Sequence, residues 1–164
     1  MNSYPPLKMK KLISLEEAQE IRAKVKQKSK IVVFTNGCFD ILHRGHIEYL
    51  RQAKELGDIL IVGLNTDNSI HKFKSSSRPV FKETDRAEVL SALASVDYIV
   101  LFDEPTPKLL IEQIKPDILV KGGDYKINEI VGREVLQKYG GKVVVLPLVP
   151  GYSTTQIINK IKKL

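Results

Sequence analysis

The 164-residue chain has one cysteine and only three histidines. A lone Cys38 forbids any disulfide within the chain and fits a reducing compartment. No apolar run approaches membrane-spanning length, and the first residues lack the apolar stretch of a secretion signal. A cytoplasmic protein with no membrane partner is therefore expected. Internal repeats and low-complexity tracts are missing, as is an aromatic stacking platform or recognition motif that would give the net charge of +7 a nucleic-acid meaning. Much of that charge sits at the chain ends, in Lys8, Lys10, Lys11, Lys24 to Lys30 and Lys160 to Lys163, where lysine-rich solvated faces are ordinary. No nucleic acid is expected as a partner.

What is present is an alternation of short apolar runs with amphipathic stretches. Ile31 to Phe34 reads as a buried parallel strand, Thr35-Asn36-Gly37 breaks it, and Ile47, Tyr49, Leu50 and Ala53 recur at helical spacing from Gly45 onward. The turn therefore falls at the carboxyl end of a strand, where open α/β sheets bind ligands. It carries Asp40, His43 and His46, with Gly45 at the helix start. Unpaired N–H groups and the positive dipole end favour an anion there, and glycine permits close approach. Two imidazoles beside such a turn suggest a phosphate site. A metal face made by Asp40, His43 and His46 is the sharper alternative, and a purely structural histidine pair the duller one.

The stretch Thr35-Asn36-Gly37-Cys38-Phe39-Asp40-Ile41-Leu42-His43-Arg44-Gly45-His46 resembles the opening motif of the cytidylyltransferase-like nucleotidyltransferases, with its H-x-G-H signature. The later blocks Ser77-Arg78-Pro79-Val80, Val120-Lys121-Gly122-Gly123-Asp124-Tyr125 and Gly151-Tyr152-Ser153-Thr154-Thr155 are similar to the branch that makes ADP-heptose. The likeness runs from about Ser14 to the end.

Elsewhere the chain reads as one α/β domain over 1–164, with an extension of one helix over 1–29 and a catalytic core over 30–164. Met1 to Lys11 is a polar, loosely held lead-in. Ser14 and Glu17 form a capping box opening a helix to about Lys26, with Leu15, Ala18, Ile21 and Val25 as its apolar stripe. Gly57 is a plausible C-cap, Asp58 to Leu64 a strand, and Asn65-Thr66-Asp67 its closing turn. His71 to Pro79 is a basic, serine-rich loop whose Lys72, Lys74 and Arg78 could close on a polyphosphate as a mobile lid, or could simply be solvated. Thr84 is expected to cap a helix with Val89, Leu90 and Leu93 inward. Strands follow at Tyr98 to Phe102, Asp117 to Lys121 and Val143 to Leu146. Helices follow from Pro107, with Leu109, Leu110, Ile111 and Ile114 inward, over Gly132 to Tyr139, and after Ser153. This order argues a single Rossmann-like, doubly wound, five-stranded, mainly parallel sheet with helices on both faces.

Nothing resembles a nucleophile–base pair, and Cys38 is a weak candidate for a catalytic thiol. Imidazoles, cations, glycines and helix ends suit phosphoryl-type transfer, where positioning and charge stabilisation carry most of the rate. The resemblance implies transfer of AMP from ATP to D-glycero-D-manno-heptose 1-phosphate, with release of pyrophosphate, for surface-glycan or lipopolysaccharide precursors. It implies His43, His46 and Lys74 in catalysis. Around the nucleotide and its phosphates it places Thr35, Asn36, Gly37, Phe39, Gly45, Arg78, Lys121, Gly122, Gly123, Asp124, Ser153, Thr154 and Thr155. Asp40, Asn65, Asp67 and Arg86 would organise substrate or metal. Mg²⁺ would come with the triphosphate, and no metal would be tightly bound. Many relatives carry an arginine or lysine soon after the Ser-Thr-Thr run. Here Gln156, Ile157 and Ile158 follow, so that cation is absent or supplied elsewhere. A homodimer and a separate heptose kinase are compatible partners. A cytidylyltransferase for a polyol phosphate and a non-catalytic nucleotide- or nucleic-acid-binding domain are the alternative readings.

Overall fold

A computed structural model describes residues 10–74, 77–123 and 125–164. The expectations placed on Met1 to Met9, Ser75, Ser76 and Asp124 lie outside the described residues. In chain order the elements are α1 (Leu15–Gln27), β1 (Val32–Gly37), α2 (Arg44–Glu55), β2 (Ile59–Asn65), α3 (Asp67–His71), α4 (Glu83–Ser91), β3 (Tyr98–Phe102), α5 (Lys108–Ile114), β4 (Ile118–Gly122), α6 (Arg133–Gln137), β5 (Lys142–Leu146) and α7 (Thr154–Ile161). A single 3₁₀ turn, Ile127–Glu129, lies between β4 and α6.

The strands form one sheet in the order β3-β2-β1-β4-β5, every pairing parallel. Strand side chains alternate between two faces, so each strand feeds two cores. Val32 and Phe34 of β1 join Ile61, Val100, Leu119 and the inner faces of α1, α5 and α6. Val33 joins Leu60, Val62, Leu64, Ile99, Val120 and the buried residues of α2 and α4. Burial on both sides explains why these strands read as continuous apolar runs. The expected doubly wound fold is the observed one.

Several local expectations change. Lys11, at the end of the lead-in expected to be loose, is held: Ile99 N donates to its carbonyl at 2.8 Å and Ile13 N donates to Ile99 O at 3.0 Å, covering the free edge of β3. Gly57 sits just beyond C-cap Leu56 without a left-handed φ. A Cβ there would lie 2.7 Å from Val33 Cγ2, so close packing against β1 requires the glycine. Thr66 caps the short α3, which the turn reading missed. Thr84 is not a cap, because α4 starts after Lys82. Arg86, Ala87 and Leu90 form its buried face, leaving Val89 exposed. Leu109 is likewise exposed, since Leu110, Ile111 and Ile114 fill the α5 contact.

Candidate functional site

From the central β1 the chain winds outward to β2 and β3, then returns to place β4 on the other flank of β1. The connections leaving β1 and β4 therefore part company above their carboxyl ends, which opens a crevice in this class of sheet. A cavity of about 300 Å³ lies there, with Asn36 and Gly37 on one side and Lys121 and Gly122 on the other. The N-termini of α2 and α7 close its ends through His43, Gly45 and His46, and through Ser153 and Thr154. The β1–α2 connection is strained where it turns: Phe39 and Ile41 have φ of 46° and 50°, a region costly to residues with a Cβ.

His43 is the N-cap of α2 and makes no side-chain cap bond, so its imidazole is left to the cavity. Its carbonyl accepts from His46 N at 2.9 Å. The two rings stack with centroids 3.8 Å apart, and Phe39 meets His46 edge-on at 5.3 Å. Gly45 makes the stack possible: a Cβ there would lie 3.0 Å from His43 Nδ1 and 3.1 Å from Tyr152 Cβ. Both Nδ1 atoms are buried without a hydrogen-bond partner. Nε2 is therefore the nitrogen left for a ligand, and a neutral ring with its proton there is a donor. Burial, and next the charge of His43, lowers the His46 pKa to about 4, and burial lowers that of His43. The free site thus holds two neutral imidazoles.

Lys121 crosses from the end of β4 to donate to Asn36 Oδ1 at the end of β1. Among the described residues no carboxylate pairs with it, and burial lowers its pKa to about 8. Beneath it the Tyr49 hydroxyl lies 2.6 Å from Thr35 Oγ1 and donates to Val120 O at 3.1 Å, tying α2 to β1 and β4. Thr35 is thereby buried in the floor and does not line the cavity. Tyr49 was missed as a site residue because at helical spacing it reads as core. Its one sequence signal is a hydroxyl on the apolar stripe of the motif's own helix. The rim also takes Leu148, Val149, Tyr125 and Tyr152. The Arg44 guanidinium lies 5.7 Å over the Tyr152 ring, beside Ser153.

The expected cations and acids are mostly engaged with each other. Asp40, 2% exposed, accepts from Arg78 Nε at 2.8 Å, Val80 N at 2.9 Å and Phe81 N at 3.1 Å, while Arg78 Nη2 lies 2.8 Å away. Its carbonyl accepts from Thr154 Oγ1 at 2.8 Å. Asp40 therefore anchors residues 78–81 and offers no free oxygen to a metal shell or an acceptor hydroxyl. The trio with His43 and His46 is not a metal face: among the described residues no three His, Cys, Asp or Glu side chains gather around one point. Arg86 is buried and fully used, by Cys38 O at 2.6 Å, Asp67 Oδ1 at 2.6 Å and Phe81 O at 3.0 Å. Asn65 donates to Ser69 Oγ at 3.0 Å, and Lys72 pairs with Asp103 at 2.8 Å. None of Asp40, Asn65, Asp67, Lys74, Arg78, Arg86, Gly123 or Thr155 lines the cavity. Lys74 is exposed, yet its charge is near enough to lower the pKa of His46 and to oppose the rise at Cys38. Burial outweighs those cations at Cys38 and pushes its thiol up, which leaves no thiolate nucleophile at neutral pH.

The sequence model of the cytidylyltransferase-like family matches residues 34–160. The bifunctional protein HldE of Citrifermentans bemidjiense is 53% identical over 151 residues, 92% of this chain and 31% of that protein. The protein of the same name from Campylobacter concisus is 55% identical over 152 residues, 93% of this chain and 31% of that one. The chain thus spans about a third of the length of these curated relatives. Among solved structures, a lipopolysaccharide core biosynthesis protein from Thermoplasma volcanium is 34% identical with a TM-score of 0.60, covering 73% of this chain and 97% of its own. Pantoate–β-alanine ligase from Francisella tularensis reaches the same TM-score at 16% identity over 93% of this chain and 78% of its own, a likeness of fold alone.

Proposed function

The chain belongs to the cytidylyltransferase-like family of nucleotidyltransferases, and from that premise we propose that it transfers AMP from ATP to D-glycero-D-manno-heptose 1-phosphate, giving ADP-heptose and pyrophosphate for lipopolysaccharide or other surface-glycan precursors. The observation that carries the chemistry is the stacked pair of neutral imidazoles at the N-terminus of α2, each with Nδ1 enclosed and Nε2 left to a ligand. The choice of acceptor draws on the likeness to the HldE proteins and to the lipopolysaccharide core biosynthesis protein.

A phosphate monoester with a second pKa of about 6 is largely dianionic at neutral pH and needs no general base. Its oxygen attacks the α-phosphorus, a new P–O–P bridge forms, and the bond to the β-phosphate oxygen breaks as pyrophosphate leaves. The task left to the protein is to hold two anions together and to stabilise charge on the departing group. His43 and His46 donate to oxygens of the α- and β-phosphates. The α7 N-terminus with Ser153 and Thr154 faces the leaving pyrophosphate, and Arg44 supplies the cation that the residues after Thr155 lack. Lys74 adds charge from outside. Mg²⁺ enters as part of the nucleotide substrate, held by phosphate oxygens and water. The acceptor is the product of a sugar kinase, acting as a separate protein or domain.

Pyrophosphate release measured over a panel of nucleotides and phosphorylated acceptors, with and without added Mg²⁺, tests this. Turnover is expected with ATP and heptose 1-phosphate and only with Mg²⁺. Turnover confined to CTP with a polyol phosphate would replace the reaction, and no turnover with any pair would make the chain a binding domain.

A further inference from the structure

Lys121 borders two cavities. One is the crevice that holds the histidines. The other, of about 210 Å³, also has Lys121 in its lining and lies against the β3–α5 connection and the 3₁₀ turn. Pro105, Thr106 and Pro107 form one wall, Ile130 and Val131 another, and Tyr125 and Glu129 the rim. Tyr125 also borders both spaces.

We propose that this second cavity is the acceptor subsite, taking the polyol end of a sugar phosphate whose phosphate group rests on Lys121. The proposal rests on the transferase reading above and deepens it. Three observations carry it. First, two substrates that react must bring their reacting atoms to within about 3–3.5 Å, so their sites must share a boundary. Lys121 and Tyr125, which line both spaces, are such a boundary. Second, among the described residues the Lys121 ammonium is held only by the neutral Asn36 amide. A buried ammonium without a carboxylate is costly, and an arriving phosphate supplies the missing anion. Third, the lining suits a polyol and not a polyphosphate. Thr106 offers a hydroxyl, Tyr125 an exposed aromatic face for ring C–H groups, and Glu129 an acceptor for sugar hydroxyls. The same Glu129 carboxylate repels a triphosphate, which the α2 and α7 N-termini attract on the other side.

The test uses the full chain and separates the two substrates. Affinity for Mg²⁺–ATP is measured calorimetrically without acceptor, and KM for heptose 1-phosphate is measured at saturating ATP, for wild type, Lys121→Met, Lys121→Arg and Val131→Trp. A lost charge-assisted hydrogen bond corresponds to about a tenfold to hundredfold change. Lys121→Met should raise the acceptor KM by about that factor and by clearly more than it weakens ATP binding, and Lys121→Arg should recover part of the loss. Val131 is 40% exposed on the rim, so tryptophan there can fill the cavity without burdening the fold. It should raise the acceptor KM alone. An equal or larger loss of ATP affinity would assign the cavity to the nucleotide, and an unchanged acceptor KM in both Lys121→Met and Val131→Trp would remove it from the site. If wild type prefers another phosphate monoester, the same variants are assayed with that acceptor. The reaction assigned above then falls while the subsite stands or falls on its own readout. If nothing turns over, heptose 1-phosphate and inorganic phosphate are titrated directly. Binding lost in both Val131→Trp and Lys121→Met supports the subsite, and equal binding in all variants, or none in wild type, overturns it.

Discussion

Replacing Asp40 by asparagine preserves its shape and removes its charge, and the structure sets the cost. The wild-type carboxylate collects Arg78 Nε and Nη2 at 2.8 Å, Val80 N at 2.9 Å and Phe81 N at 3.1 Å. An asparagine keeps one oxygen and turns an N–H group toward the remaining donors. Removing one partner of a buried ion pair costs about 3–5 kcal/mol. The Arg78 side chain keeps 13% of its exposure, so the lower half of that range applies, about 3–4 kcal/mol. For a chain of this size that is a fall in Tm of roughly 6–16 °C. Arg78→Ala leaves the carboxylate with its two backbone donors and should cost less, about 2 kcal/mol. The double variant should fall short of the sum by at least about 1 kcal/mol, because both substitutions remove the same interaction. Urea unfolding of the four proteins measures all three numbers. An Asp40→Asn variant within 1 kcal/mol of wild type, or strict additivity, would refute the reasoning. The same pairing predicts that the Val80 and Phe81 amides, just beyond the loop expected to close as a lid, are protected from hydrogen exchange before any nucleotide is added.

Two further outcomes follow from the histidines. His43→Ala and His46→Ala should each lower kcat by about two orders of magnitude or more, with a much smaller loss of nucleotide affinity, and near-normal turnover in either variant would make the pair structural. His46 should also make the fold acid-sensitive. Its pKa is lowered from 6.5 to about 4, so the folded state resists a proton that the unfolded state accepts. The stability this represents is complete above pH 6.5 and is lost as pH falls toward 4, about 2–3 kcal/mol after a discount for partial exposure. His46→Gln should flatten that part of the pH–stability curve, and an identical acid slope in the variant would contradict it.

The fold was legible because the inner strands β1, β2 and β4 are buried on two faces and helices such as α2 on one, which writes the 2 and 3.6 periods plainly. The errors came where a polar side chain takes a core position. Arg86 occupies the buried face of α4 and displaces Val89 to solvent, which no pattern of apolar residues can reveal. The cavity members nearest the motif (Asn36, Gly37, His43, Gly45 and His46) were legible because sequence neighbours on one strand–turn–helix unit stay neighbours in space. The remote members depended on resemblance. Lys121, Ser153 and Thr154 reach the cavity only through the return of β4 to the flank of β1, a long-range fact that local spacing does not encode. Least legible was which cations are free. Lys72, Lys74 and Arg78 look alike in sequence, yet Lys72 is paired with Asp103 and Arg78 with Asp40.

That pairing bears on how the site handles charge. A sequence with a surplus of seven positive charges suggests a strongly cationic pocket awaiting a polyanion. The crevice instead presents two neutral imidazoles, helix N-termini and one lysine whose buried ammonium has, among the described residues, only an amide for company. Desolvation lowers the proton affinity of all three groups, and an anion placed among them acts in the opposite direction. The crevice therefore becomes most cationic when it is filled. Such an arrangement avoids holding like charges together in the empty protein, where the 3.8 Å stack of His43 on His46 would make double protonation costly. It also puts the full attraction where charge develops, on the phosphates and the departing pyrophosphate. Arg78 and Asp40, locked to each other beside the crevice, then serve rigidity: they pin residues 78–81 to the strained Phe39–Ile41 turn, and Thr154 ties the start of α7 to the same turn through the Asp40 carbonyl.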